Sequence, residues 1–125
     1  MKSHWAEHEE KNILYMDLSN FHEDTMGFEE EITTAIKILG PKMYEQLPGS
    51  VLVLVDLRNT TMSQKATTFL SEAIKDTKKY VRRTAVVGMT GIRKMFLDYF
   101  SMLASSETGS FEDPESALKW LVRTK

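Results

Sequence analysis

The sequence predicts an α/β fold, a mainly parallel sheet of four to five strands with helices packed on it, and three observations carry that expectation. The run Val51 to Val55 is aliphatic and β-branched-rich without alternation, the pattern of a strand buried on both faces. Segments with apolar residues three and four apart alternate along the chain with such short apolar runs. The resulting order of strand, helix, strand, helix, strand, helix, short strand, helix is that of right-handed crossovers in a parallel sheet.

Asn12 to Ser19 is a nearly continuous apolar run between Glu9-Glu10-Lys11 and Ser19-Asn20, which suits the first main strand. Ser3 to His8 alternates weakly and is expected to pair back on it through the Glu9 to Asn12 turn as an antiparallel edge. From Phe28, the residues Ile32, Ala35, Ile36, Leu39 and Met43 predict a helix starting near residue 27, with Glu29, Glu30 and Glu31 in its first turn. Gly40-Pro41 is expected to interrupt it, and a restarted piece ends near Leu47, because Pro41 removes a donor and clashes with the Lys37 carbonyl. Pro48-Gly49 precedes the central strand, Ser50 to Leu57. Thr61-Met62-Ser63-Gln64 fits a capping box opening a second helix, whose stripe is Ala66, Phe69, Leu70, Ala73, Ile74 and Thr77. Val81 to Met89 reads as the next strand, followed by a helix through Ile92, Met95, Phe96, Tyr99 and Leu103. Gly109 to Glu112 is a short last strand, and Asp113-Pro114 caps and opens a final helix carrying Ala117, Leu118, Leu121 and Trp120.

The 125 residues suffice for one domain spanning 1–125, and a chain of this size needs no disulfide or metal staple. The absence of cysteine excludes thiolate catalysis and Cys-ligated metal. Sixteen basic against eighteen acidic side chains, a net charge of -2, are too balanced for a dedicated nucleic-acid binder. The opening MKSHWAEHEEK has no signal-peptide core, and no aliphatic run approaches the roughly 20 residues that span a bilayer, so a cytoplasmic protein without membrane insertion is expected.

With parallel strands, the loops at their carboxyl ends, Ser19 to Asp24, Arg58 to Ser63 and Thr90 to Lys94, share one rim, where ligands of open α/β sheets bind. Asp56, Arg58, Asn59, Thr60, Thr61 and Ser63 place a carboxylate, a guanidinium and three hydroxyls before a helix N-terminus; capping and local pairing account for the same residues. At Thr90-Gly91-Ile92-Arg93-Lys94, Arg93 and Lys94 fall in a first helical turn, where the dipole disfavours cations. They make a seat for an anionic ligand or a partner's acidic side chain, unless nearby carboxylates pair with them. The helix beyond has an apolar arc of roughly 220°, wider than a core stripe, so Phe96, Leu97 and Phe100 are expected to meet a second subunit, a partner, a lipid chain or the C-terminal helix. No metal or cofactor is expected: His4, His8 and His22 lie in extended or loop segments without a zinc motif, and no nucleotide-binding glycine motif occurs. Neither a G-x-S-x-G elbow nor a defined pairing among Asp17, Asp56 and Asp98 points to catalysis.

Three stretches together, Ser50 to Asp56, Ala85 to Lys94 and Phe111 to Leu121, resemble the bacterial STAS-like group that has the anti-sigma-factor antagonist fold, related in shape to CRAL-TRIO lipid-binding domains. The resemblance implies a small, often dimeric α/β domain used for protein interaction or ligand sensing rather than catalysis. In that group a Ser-Ser-Gly segment opening the helix after a central strand carries a regulatory phosphoserine. Asn59-Thr60-Thr61-Met62-Ser63 stands there instead, with Thr61 and Ser63 as phosphoacceptors by position only. The expected function is a non-enzymatic interaction module whose partner is another protein or a second copy. The alternative is a domain for a small anionic ligand or lipid held by Arg93 and Lys94.

Overall fold

The structure, a computed structural model, describes residues 1–88 and 107–123. Its elements are β1 (His4–His8), β2 (Lys11–Asp17), α1 (Thr25–Tyr44), β3 (Val51–Asp56), α2 (Gln64–Thr77), β4 (Val81–Val87), β5 (Glu107–Phe111) and α3 (Pro114–Leu121). The strands form one sheet in the order β1-β2-β3-β4-β5. β1 and β2 are an antiparallel hairpin turned by Glu9 and Glu10, at φ 49° and 68°, the left-handed pair that matches strand twist. β2, β3, β4 and β5 run parallel.

The period of two along the strands divides the core into two layers. Leu14, Met16, Val53 and Val55 face α1 and α2, meeting Phe28, Ile32 and Leu70. Ile13, Leu52, Leu54, Ala85 and Val87 face the other way, against Ala117 and Leu121 of α3. Every residue of β3 is buried, as its unbroken apolar sequence predicts. Strand order never reverses, so crossovers of one hand place α1 and α2 on the same face.

Three local expectations are corrected. α1 begins at Thr25, with Asp24 Oδ1 accepting from the Gly27 N–H at 2.9 Å, so Glu29, Glu30 and Glu31 lie past the first turn. α1 also runs through Pro41 without restarting. The carbonyl freed by the proline belongs to Lys37, an exposed residue, while Leu39 and Met43 keep the turn packed on the core. Finally, α2 is capped by Ser63, which accepts from the Ala66 N–H at 3.1 Å, and not by Thr61. Thr61 is drawn into extended pairing, its N–H donating to the His22 carbonyl at 2.6 Å. The expected cap at Asp113 forms, accepting from the Ser116 N–H at 2.8 Å. The helix expected at 92–103 lies outside the described residues.

Glu31 does unexpected work. It is 8% exposed, and its carboxylate accepts the backbone N–H groups of Lys2, at 3.0 Å, and Ser3, at 2.7 Å. The chain before β1 is thereby fastened to α1, and Ser3 Oγ in turn accepts from the Asp17 N–H at 3.0 Å.

Candidate functional site

Parallel pairing sets Asp17 opposite Asp56, so the loops leaving β2 and β3 emerge side by side at one pole. Backbone bonds then stitch them together. Leu18 N–H donates to the Asp56 carbonyl at 2.9 Å, Asn20 N–H to Arg58 at 2.8 Å and His22 N–H to Asn59 at 2.9 Å. The ladder needs left-handed backbone at Asn20 (φ 62°), His22 (φ 53°) and Asn59 (φ 57°), a region where Asn and His are enriched. Thr60, 2% exposed, adds a crosslink: its hydroxyl donates to the Leu18 carbonyl at 2.6 Å and accepts from the Phe21 N–H at 3.1 Å. On the exposed side, the Asn59 amide donates to Asn20 Oδ1 at 3.0 Å.

Below this surface lies a saturated carboxylate. Asp56 is fully buried, and its two oxygens accept from the Arg58 N–H (3.1 Å), Arg58 Nε (3.0 Å), Arg58 Nη2 (2.8 Å) and the Tyr15 hydroxyl (3.0 Å). Burial pushes the Asp56 carboxyl upward, but the bonds from Arg58 and Tyr15 outweigh it and hold the group below the usual carboxylate range. Burial and the adjacent Asp56 charge drive the Tyr15 phenol well above its ordinary value, and the bond to Asp56 raises the Arg58 guanidinium. Such a cluster holds its protons fixed at neutral pH. Asp56 is therefore a poor base, while Arg58, its side chain 45% exposed, keeps donors facing outward.

Gly88, after β4, completes the described part of the rim. Its N–H donates to the Phe111 carbonyl at 2.9 Å, it has φ 87°, and a Cβ there would stand 2.9 Å from both Arg58 N and Arg58 Cγ. Only glycine lets the β4 end approach the Arg58 backbone this closely.

Of the rim residues singled out from sequence, Asp56, Arg58, Asn59, Thr60, Thr61 and Ser63 come together at this pole. They divide by accessibility: Arg58, Asn59 and Thr61 are exposed, Asp56 and Thr60 are buried, and Ser63 is half-buried with its hydroxyl engaged as the α2 cap. Thr90, Gly91, Arg93, Lys94, Phe96, Leu97 and Phe100 lie outside the described residues. No group of three or more potential metal ligands occurs among the described residues. His4 stacks on Tyr15, with ring centroids 5.1 Å apart. The loop Ser19 to Asp24 joins the rim as its sequence position predicts, whereas Tyr15 and Gly88 were not anticipated as parts of the site. Tyr15 sits inside an apolar run and acquires its partner only across the sheet, and Gly88 shows its role only through its backbone φ and its approach to Arg58.

No protein-family model matches the chain, and no curated protein does. Among solved structures, the chain is similar to an uncharacterized protein of the DUF3478 family from Shewanella loihica PV-4, described as having a SpoIIAA-like fold. The TM-score is 0.68 at 16% identity, covering 95% of this chain and 91% of that one. The fold is therefore SpoIIAA-like, that of the STAS-like anti-sigma-factor antagonists, in agreement with the resemblance carried by the three sequence stretches. No helix among the described residues is long and apolar enough to cross a membrane.

Proposed function

We propose that this SpoIIAA-like domain is a non-enzymatic regulatory module that recognises a partner protein, or a second copy of itself, through the rim at the carboxyl ends of β2, β3 and β4. The observation that carries the reading is the stitching of two sequence-distant loops into one surface, with Arg58, Asn59 and Thr61 exposed on it. A surface already ordered before binding loses little conformational entropy on association, which favours recognition. The saturated Asp56 argues in the same direction, because it has no free lone pair positioned for a reacting proton. Of the two hydroxyls aligned with the phosphoacceptor of the STAS-like group, Thr61 is the exposed one. A phosphate there would place a charge of about -1.5 to -2 beside Arg58 and reset the surface electrostatically. Arg93, Lys94 and the apolar trio Phe96, Leu97 and Phe100 extend the proposed surface, and the domain acts in the cytoplasm.

The test is site-specific photo-crosslinking in cells from position 59, with position 78, on the turn after α2, as control. A discrete protein adduct formed from position 59 and absent from 78 is the expected result, and its mass distinguishes a partner from a second copy. Equal adducts from both positions, or native mass spectrometry showing a retained small molecule with no protein adduct, would overturn the reading in favour of the ligand-binding alternative.

A further inference from the structure

At the opposite pole, where β2, β3 and β4 begin, a cleft of about 220 Å³ opens under the edge of the sheet. Lys11, Asn12, Arg82 and Arg123 contribute its polar lining, and Trp5 and Leu121 part of its apolar wall. Six residues of β3 separate this cleft from the rim, roughly 20 Å of strand. None of Lys11, Arg82 and Arg123 has a carboxylate within ion-pair distance among the described residues. Glu7, opposite Asn12 in the hairpin register, is a neighbouring acid that does not line the cleft.

Cations at this pole have an ordinary explanation, since helices end here and their terminal carbonyls attract positive charge. That role is already filled by other groups. Gln46 Nε2 donates to the Lys42 carbonyl at 3.1 Å and the Ser50 hydroxyl to Leu47 at 2.6 Å, closing the end of α1 and the turn after it. Buried Arg83 takes the end of α3, its Nη1 donating to the carbonyls of Trp120 (3.2 Å) and Arg123 (2.6 Å) while Nε binds Glu107 at 2.7 Å. Arg82 and Arg83, adjacent in sequence, thus have separate fates. Val51 pairs with Val81 and Leu52 with Arg83, so Arg82 is the extra residue of a β-bulge, turned out of the ladder at the mouth of the cleft. Bulges re-aim side chains in this way and recur beside functional sites.

We infer that this cleft binds a small phosphate monoester, its dianion held by Lys11, Arg82 and Arg123 and its carbon end against Trp5 and Leu121. Three cations without an ion-pair partner among the described residues match a dianion better than a monoanion, and guanidinium forks suit phosphate oxygens. The size of the cleft agrees with a small ligand. A cleft of about 220 Å³ accommodates a phosphate on a two- or three-carbon body.

The full chain is titrated calorimetrically with a three-carbon phosphate monoester and, separately, with inorganic phosphate, both at physiological ionic strength. Saturable one-site binding is expected. Arg82→Ala with Lys11→Ala should weaken it about tenfold or more, through loss of charge-assisted bonds, whereas Lys78→Ala, at the same pole outside the cleft, leaves it unchanged. Tighter binding of the ester than of phosphate supports contact with Trp5 and Leu121, and equal binding assigns the site to free phosphate and overturns the ester. Failure to saturate, or equal weakening by Lys78→Ala, reduces the effect to general charge and overturns the site itself. Circular dichroism of each variant separates lost binding from lost folding.

Discussion

The Asp56 cluster permits a prediction in which pH, and not stability alone, is the readout. Asp56→Asn keeps the side-chain shape but removes the charge and turns an NH₂ group toward donors that need an acceptor. Breaking a buried ion pair costs about 3–5 kcal/mol, and because the Arg58 side chain is 45% exposed, the lower figure of about 2–3 kcal/mol is expected here. For a domain of this size that lowers Tm by roughly 10 °C at pH 7. The wild-type carboxyl is held below its ordinary value, so the unfolded chain binds the proton first as pH falls. The stability Asp56 contributes is thus complete above the unfolded carboxyl pKa of about 4 and disappears as pH drops through the lower folded value. The difference between wild type and Asp56→Asn should narrow below about pH 4. Arg58→Met should act in the opposite direction, since with the guanidinium gone burial dominates and raises the Asp56 carboxyl. That variant gains stability relative to wild type as pH falls, because its folded state now binds the proton first. Thermal melts from pH 3 to 7, monitored by circular dichroism, give all three curves. A difference between wild type and Asp56→Asn that stays constant across the range would refute the assignment of Asp56 as a charged, fully bonded group.

Gly88→Ala forces a side chain into left-handed backbone and toward Arg58, and should cost about 2 kcal/mol or more in denaturant unfolding; a loss below about 0.5 kcal/mol would contradict the close approach. Ser63→Ala should cost about 1 kcal/mol by removing the α2 cap, while Thr61→Ala stays within about 0.5 kcal/mol, and equal effects in chemical denaturation would restore Thr61 as the cap. Glu31→Gln removes charge-assisted bonds to the N-terminal segment, so amide exchange at Lys2 and Ser3 should accelerate and stability fall by about 1–2 kcal/mol; unchanged exchange would mean that the segment is held by β1 pairing alone.

Much of the site was legible because the loop after β3 is punctuated by residues with specific local uses. Asp56, Arg58 and the hydroxyls mark a loop at the end of a buried strand, and parallel pairing places that loop beside its neighbour. What each residue does there was not legible. Thr61 and Ser63 both satisfy the local rules for a cap, and the choice between them fell to the backbone bond that the Thr61 N–H donates to the carbonyl of His22, far away in sequence. Asp56 resembles any loop carboxylate until Tyr15, half-buried among apolar neighbours in β2, donates to it across the sheet.

The same division holds for the whole chain. Properties encoded within a few residues were determined by the sequence itself: the doubly buried run Val51 to Val55, the Asp113-Pro114 helix start, the hairpin before Asn12 and the alternation of strand and helix that yields a parallel sheet. These follow from steric preference, period and capping, which act over one or two turns of chain. Tertiary structure decided the rest: the continuity of α1 through Pro41, the burial of Glu31 against the N-terminal segment, and the separate fates of Arg82 and Arg83 at a bulge. Each depends on which distant group arrives to take a proton, a charge or an apolar contact, and only the folded register of the sheet fixes that.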